Sequence, residues 1–251
     1  GEAAHQLLRW LQRAGQRGLQ VLPTGPTGYG DSPYQLYSAF AGNPLFVSLE
    51  LLCEQGFLLP ADLEDAPPSL AHADFAAAQA FRLPRLFLAF QRLGQQPRAV
   101  QAEFAAYCES ERAWLDDFAL FITLKEDHGG APWHAFPAPL RDRDPAALAE
   151  AHARRAERVH FHRFVQWQYE RQWRALREHA RHLGIELIGD LPIFVAHDSV
   201  EVWQQRDQFL LHPDGRLRVQ AGVPPDYFSA TGQLWGNPLY DWERMRHDGF
   251  Q

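Results

Sequence analysis

The spacing of apolar residues predicts a mainly helical chain with one short strand on either side of a long helical region. Positions 5–14 place Leu7, Leu8, Trp10 and Leu11 on one side of a first helix. The run 19–22 is short and apolar, and a proline ends it, as expected of a buried strand that leads into a loop. Residues 185–190 give the clearest strand signal, because they are apolar and β-branched.

Residues 45–184 have helical spacing almost throughout. The pattern predicts a stretch at 75–93 that is broken near Pro84, a second stretch at 102–126, and a long run that begins at Asp144. Asp is a favoured N-cap, Pro145 occupies the first helical position where proline is favoured, and Gly184 ends the run.

Asp190 stands where the strand at 185–190 ends. A helix that leads into a strand is half of an αβ repeat, and in a parallel barrel the C-terminal ends of the strands carry the active site. Asp190 is therefore a candidate functional residue. A turn-forming or capping role is the simpler alternative, since Asp is common in turns.

Composition narrows the classes of protein. The chain has 251 residues, 46% of them hydrophobic, which suffices for one substantial core or two smaller lobes. Its 24 Lys and Arg against 31 Asp and Glu give a net charge of −7, so no basic field favours a nucleic-acid partner. No run approaches the roughly 20 apolar residues of a membrane span, and no secretory signal is found, so a soluble cytoplasmic protein is expected. Cys53 and Cys108 are expected to be buried free thiols.

Two segments rich in glycine and proline carry the candidate chemistry. The first is residues 25–35 (GPTGYGDSPYQ); the second comprises residues 222–228 (GVPPDYF) and 232–238 (GQLWGNP). Sugars have apolar C–H faces that aromatic rings cover, and hydroxyls that need fixed hydrogen-bond partners. The mixture of rings, carboxylates and amides therefore indicates a carbohydrate cleft. The first segment has neither the ending of a P-loop nor the G-x-G-x-x-G order of a dinucleotide fold, which argues against a nucleotide site.

The histidines do not predict a metal site. His160 and His162 are two residues apart and do not share a helix face, and His179 and His182 have no third ligand nearby in the sequence. No metal and no cofactor are expected. His197 stands beside Asp198, and this pair either belongs to the site of Asp190 or caps the next helix.

The tryptophans fall into two groups. Trp167 and Trp173 have helical spacing and are predicted to pack in a core. Trp235 stands among Gly232, Gly236 and Pro238, a setting in which a ring is expected to be displayed on a loop.

The residues of 22–44, 188–202 and 219–240 resemble the amylomaltases, the 4-α-glucanotransferases of glycoside hydrolase family 77, which include the plant disproportionating enzymes. The resemblance is looser across the intervening helices and spans nearly the whole chain. It implies an enzyme that transfers maltooligosaccharide segments from one α-1,4-glucan to another glucan or to glucose, by a retaining double displacement. It also implies that no cofactor takes part.

The resemblance implies a set of sugar-contacting residues. They are Tyr29, Asp31, Ser32, Tyr34, Asp190, Asp226, Tyr227, Phe228, Gly232, Gln233, Trp235, Asn237 and Pro238. Asp31, Ser32 and Tyr34 would lie beside the scissile bond, with Tyr29 as an outer platform. Asp190 would hydrogen-bond the sugar at the cleavage point. Residues 226–235 would arch over the active site, and the two residues at 237 and 238 would support that loop.

The catalytic carboxylates of the family have no counterpart here. Retaining chemistry needs two carboxyl groups about 5 Å apart. In the family the nucleophile lies in an Arg-x-Asp-His segment that follows the loop over the active site, and the acid/base lies further on, so both are expected beyond Gln251. Without the family, Asp190 and Asp226 would be paired as nucleophile and acid, and this alternative stays open.

The expected fold is α/β, as part of a (β/α)8 TIM barrel with a large, mainly helical insertion subdomain. Residues 1–44 and 161–251 would be barrel parts, with a lid loop at 219–240, and residues 45–160 would be the insertion. Only the runs at 19–22 and 185–190 have the pattern of barrel strands, so the barrel is expected to be incomplete and the 251-residue piece alone inactive. Two other functions stay open: a related α-glucan hydrolase and a non-catalytic maltodextrin-binding module.

Overall fold

The computed structural model describes residues 1–67 and 72–250. The helices in these residues are α1 (Glu2–Arg13), α2 (Leu49–Glu54), α3 (Phe75–Gln91), α4 (Arg98–Ser110), α5 (Arg112–Asp127), α6 (Ala138–Arg141), α7 (Pro145–Arg154), α8 (Ala156–His182), α9 (Val200–Gln204) and α10 (Trp242–His247). The strands are β1 (Gly18–Gln20), β2 (Glu186–Ile188), β3 (Gln220–Val223) and β4 (Gln233–Pro238).

The helical region differs from the predicted stretches in where it breaks. Helix α3 runs through Pro84 without a break, although proline removes one helical hydrogen bond; the burial of Leu86 and Ala89 after it favours continuation. The predicted stretch 102–126 is instead two helices that separate at Glu111, and the run from Asp144 is two helices that separate at Arg155.

The predicted start and end of the long run are confirmed. The Asp144 side chain accepts a hydrogen bond from the Ala147 amide at 2.9 Å, and Pro145 is the first helical residue. Gly184 follows the end of α8 with a φ of 70°, a backbone conformation that glycine adopts without strain.

Strands β1 and β2 form a parallel pair, in which Leu19 is opposite Leu187. The Val21 amide also donates to the carbonyl of Ile188 at 2.9 Å, which extends the pairing by one residue. Both predicted strands are therefore confirmed, although each is shorter than its apolar run. Beneath them, Leu8, Ala180 and Ile185 form a small buried cluster, so α1 and α8 cover this sheet.

Strands β3 and β4 form an antiparallel hairpin within the segment predicted as a lid loop. The prediction of a loop at 219–240 was wrong in this respect. Glycines and prolines flank both strands, and the pairing register shifts between Gln220 and Gly222, so the regular alternation that marks a strand is lost. Loop structure remains at residues 224–232, between the two strands.

The chain divides into two compact units. The first unit consists of Gly1–Thr24, Gly42–Ala119 and Glu157–Asp190, and the second of Gly25–Ala41, Leu120–Ala156 and Leu191–Gln251.

The core of the first unit is aromatic and centres on α8. Trp167 is 1% exposed and contacts Phe57 edge-on at 6.1 Å, which confirms its predicted core position. Trp173 is half-buried and stacks on Tyr169. Cys53 and Cys108 are free thiols, as predicted, but half-buried; burial raises the pKa of Cys108 to about 11.

The core of the second unit is held by tryptophans whose ring nitrogens bond to the main chain. Trp203 contacts Phe121 at 5.6 Å and donates to the carbonyl of Leu140 at 3.0 Å. Trp133 is fully buried and donates to the carbonyl of His197 at 2.7 Å. These bonds satisfy the polar end of each large ring. Among the described residues, no helix is long and apolar enough to cross a membrane.

Candidate functional site

The first glycine- and proline-rich segment is a short, two-armed hairpin in the second unit. Thr27 and Leu36 form an antiparallel bridge, the Gly28 amide donates to the Gln35 carbonyl at 2.6 Å, and the Tyr37 amide donates to the Pro26 carbonyl at 2.9 Å. Leu36 is 4% exposed and points into the core. The segment is therefore a rigid element that projects its tip, residues 29–34.

The tip of this hairpin holds the first group of predicted site residues. Tyr29 is 92% exposed and Tyr34 is 45% exposed, so both rings are displayed to solvent. Asp31 has a φ of 52°, a left-handed conformation that costs a residue other than glycine about 1–2 kcal/mol. Its carboxylate accepts a hydrogen bond from the Thr27 hydroxyl at 3.3 Å, and the Ser32 hydroxyl accepts one from the Tyr34 amide at 3.3 Å. Local hydrogen bonds thus hold a strained turn.

The loop between β3 and β4 holds the second group. The Asp226 carboxylate accepts hydrogen bonds from the amides of Phe228 at 2.9 Å and Ser229 at 2.8 Å. These bonds close a turn that leaves Tyr227 97% exposed and Phe228 89% exposed, with the two rings edge to face at 5.6 Å. Asp226 therefore shapes the turn that displays the rings.

Gly232, Gln233 and Trp235 follow this turn. Gly232 has a φ of 75°, and the Trp235 indole nitrogen donates to the Gln233 side-chain oxygen at 3.1 Å. The prediction that Trp235 stands on a loop was wrong, because it belongs to β4; its ring is nevertheless 43% exposed. The ring of Trp235 lies near Phe194, with ring centroids 6.5 Å apart.

Asn237 connects the two groups. It is 5% exposed, and its side-chain oxygen accepts a hydrogen bond from the Gln35 amide nitrogen at 3.3 Å. Its own amide nitrogen donates to the carbonyls of Phe194 at 3.3 Å and Val195 at 3.0 Å. Pro238, the next residue, is also buried. One buried amide thus joins the hairpin at 25–41, the chain after Leu191 and strand β4.

Asp190 is placed differently from the other candidates. It follows β2 by two residues and belongs to the first unit, where it is half-buried, whereas the remaining candidates belong to the second unit.

Asp198 and His197 have structural partners. The Asp198 carboxylate accepts from the buried Lys125 ammonium at 2.6 Å and from the Trp133 amide at 3.1 Å. The His197 ring donates to the carbonyl of Gly215 at 2.8 Å. Ser199 is the N-cap of α9, with its hydroxyl accepting from the Val202 amide at 3.4 Å. The alternative that this pair caps the next helix is wrong, because Ser199 is the cap. A role of the pair in the site of Asp190 stays a prediction.

No cluster of three or more potential metal-ligating side chains occurs in residues 1–67 and 72–250.

The complete chain, residues 1–251, matches the family model described as 4-alpha-glucanotransferase. The chain belongs to this family.

Relatives and solved structures agree with that assignment. The chain is 51% identical over 251 residues to the 4-alpha-glucanotransferase of Thermus thermophilus and 45% identical over 253 residues to that of Synechocystis, in each case covering 100% of this chain and 50% of the relative. It superimposes on the amylomaltase of Streptococcus agalactiae in complex with acarbose with a TM-score of 0.93 and 34% identity, covering 100% of this chain and 51% of that one. The chain thus spans about half the length of the curated relatives it matches, and the resemblance stated from the sequence is confirmed.

Proposed function

We propose that the chain supplies walls of the glucan cleft of a 4-α-glucanotransferase that moves maltooligosaccharide segments between α-1,4-glucans by a retaining double displacement. The donor would be an α-1,4-glucan and the acceptor another glucan or glucose. Family membership supports the reaction class. The observation that carries the site is the hydrogen bond from Gln35 to Asn237, which joins the two segments that bear the exposed rings.

The exposed rings suit a sugar ligand. Tyr29, Tyr227 and Phe228 are each about nine-tenths exposed or more, and the rings of Tyr227 and Phe228 lie together at 5.6 Å, so they form an exposed apolar patch of the kind that marks binding sites. The turns that hold them are closed by the side chains of Asp31 and Asp226. Rings fixed in this way lose little conformational entropy on binding, which favours affinity for the apolar faces of glucose units.

The architecture that accompanies this function is part of a (β/α)8 barrel. The parallel pair β1 and β2, each preceded by a helix, supports it. Residues 1–44 and 161–251 would belong to the barrel and 45–160 to a helical insertion, with the nucleophile and acid/base on chain that follows Gln251. Asp190, at the end of a barrel strand, would hydrogen-bond the sugar at the cleavage point.

The biological setting follows from the same reaction. The substrates would be starch or glycogen fragments and maltooligosaccharides, handled in the cytoplasm, and no cofactor or metal would be needed. The relative of known structure that binds acarbose supports an oligosaccharide ligand.

The reaction can be tested with the protein expressed from its complete gene. Incubation with maltotriose should give glucose together with maltooligosaccharides longer than the substrate, resolved by chromatography. Release of shorter sugars alone would indicate the related hydrolase, and binding without any product would indicate the maltodextrin-binding module; either result would overturn the transferase.

The cleft can be tested by removing the displayed rings. The double variant Tyr227→Ala, Phe228→Ala should weaken maltoheptaose binding roughly tenfold, because each ring contact contributes about 0.5–1.5 kcal/mol. Phe75→Ala, which removes a 40% exposed ring from the first unit, is the matched control and should bind as the wild type does. Equal affinities of all three proteins would refute the proposed cleft.

A further inference from the structure

Glu201, on the first turn of α9, bonds to the hairpin that bears Asp31 and Tyr34. Its carboxylate oxygen Oε1 accepts from the Ser38 hydroxyl at 2.9 Å and from the Ala39 amide at 2.8 Å. The residue is half-buried, and its second oxygen, Oε2, is buried. Both donors belong to the base of the hairpin, in the same unit as α9.

Ser38 links Glu201 to the rest of the turn at residues 37–41. It is 1% exposed, and its hydroxyl oxygen accepts from the amides of Phe40 at 3.1 Å and Ala41 at 3.3 Å. A main-chain bond adds to it, since the Val200 amide donates to the Tyr37 carbonyl at 2.9 Å. Residues 37–41 are thereby fastened to the N-terminal turn of α9.

Holding a turn with a buried carboxyl group costs free energy, because the charged form loses its hydration. Burial raises the pKa of Glu201, against the opposite effect of the hydrogen bonds that it accepts. Apolar side chains of similar volume often stabilise a fold as well as a buried charged group does. The carboxylate differs from them in that it sets the direction and register of the two donors that it binds.

The position of the hairpin base determines the position of its tip, because the hairpin is stiff. The arms are joined by the bonds from Gly28 to Gln35 and from Tyr37 to Pro26, so the segment is stiff between its base and residues 29–34. The side chain of Gln35 on Asn237 and the buried side chain of Leu36 also hold it. A stiff element held at its base and along one arm has its tip placed by those attachments, and Glu201 provides the attachment at the base.

We infer that Glu201 is a positioning residue for glucan binding, which holds the base of the hairpin so that Asp31, Ser32 and Tyr34 are fixed before the sugar arrives. The inference rests on the proposed function, since it names a residue that serves that cleft. Its physical basis is preorganisation: a loop that is already ordered loses less entropy when a ligand binds.

The test compares three variants in the protein expressed from its complete gene. Glu201→Ala removes both hydrogen bonds, Ser38→Ala removes one donor and the relay to residues 40 and 41, and Glu201→Gln keeps an acceptor oxygen. Glu243→Ala, an exposed glutamate on α10, is the matched control. Glu201→Ala and Ser38→Ala should weaken maltoheptaose binding roughly tenfold and raise KM more than they lower kcat, whereas Glu201→Gln and Glu243→Ala should stay within about twofold of the wild type.

A merely structural role predicts a different result. In that case Glu201→Ala would lower the midpoint of thermal unfolding while the folded protein bound maltoheptaose as the wild type does, and the inference would be wrong. Equal impairment by Glu201→Gln and Glu201→Ala would also overturn it, since the acceptor oxygen would then be irrelevant. Ser38→Ala provides the same comparison if Glu201→Ala does not fold.

Amide hydrogen exchange separates this inference from the proposed function, because it needs no ligand. The amides of Gly28 and Tyr37, which bond across the hairpin, should exchange at least tenfold faster in Glu201→Ala and Ser38→Ala than in the wild type. Unchanged exchange would refute the positioning role. Failure of the wild type to bind any α-glucan, with exchange altered as expected, would refute the proposed function and leave the hairpin's attachment established.

Discussion

The side chain of Gln35 donates a hydrogen bond to the side-chain oxygen of Asn237 at 3.3 Å, across 202 residues of sequence. Asn237 in turn donates to the carbonyls of Phe194 and Val195. Three separate stretches of the second unit therefore meet at one amide that is 5% exposed. An amide is suited to this position because it donates and accepts at once, which neither a carboxylate nor an ammonium does.

Replacing Asn237 by Ala should lower the free energy of unfolding by about 2 kcal/mol, since the change leaves two half-buried carbonyls and the Gln35 side-chain amide without their partner. Urea unfolding would measure this loss of stability, and an unchanged m-value would show that the surface exposed on unfolding is the same in both proteins. The comparison is Gln35→Met, which removes only the 3.3 Å bond of a half-buried side chain and should cost less than about 1 kcal/mol. Equal losses in the two variants would show that the bonds to Phe194 and Val195 contribute nothing.

Sequence patterns predict the features of this fold that depend on neighbouring residues. The cap at Asp144 and Pro145, the end at Gly184 and the strand near Leu187 are local, and all three are found. The separations at Glu111 and Arg155 were missed because neither glycine nor proline marks them. Tertiary packing determines where such breaks occur, and it also overrides the helix-breaking tendency of Pro84 inside α3.

In the candidate site, too, local features were predictable from the sequence and features that depend on distant residues were not. Its displayed rings were predictable, because glycine and proline mark the turns that carry them. Its supports were not: Ser38, Lys125 and Glu201 find partners 163 or 73 residues away. Glu201 in particular has the sequence position of an ordinary acidic residue in the first turn of a helix, where the helix dipole alone would explain it.

Lys125 is the single lysine of the sequence and supports a second prediction. It is 4% exposed and donates to Asp198 at 2.6 Å and to the carbonyls of Gly130 and Ala131. Lys125→Met should reduce the free energy of unfolding by about 3 kcal/mol, because it leaves the carboxylate without its countercharge.

The matching measurement is a double-mutant cycle with Asp198→Asn, which keeps an oxygen for the Trp133 amide. The double variant should be at least about 1 kcal/mol more stable than the sum of the two single losses implies. Strict additivity would mean that the ion pair does not couple the two residues.

The raised pKa of Glu201 predicts how stability depends on pH. Burial is the main cause, and the ordinary value is 4.5. Between 4.5 and the raised pKa the folded state binds more protons than the unfolded state, so this group's contribution to stability is present at low pH and is lost as the pH rises. The glutamine in Glu201→Gln does not titrate in this range of pH.

Urea unfolding from about pH 4 to pH 8 should therefore show that the free energy of unfolding of the wild type, relative to that of Glu201→Gln, falls as the pH rises. A difference that stays constant or grows would contradict the raised pKa.

Gly232 and Gly30 provide a matched pair of backbone tests in the two ring-bearing segments. Both have positive φ, 75° and 67°, so alanine at either position is strained by about 1–2 kcal/mol. They differ in space: a Cβ at Gly232 would stand 2.5 Å from the carbonyl oxygen of Val223, whereas a Cβ at Gly30 meets nothing within 4 Å. Gly232→Ala should therefore force β3 and β4 apart and be the more destabilising change by at least about 1 kcal/mol. Thermal and urea unfolding of the two variants measures the difference, and an equal loss would show that the hairpin can move aside without cost.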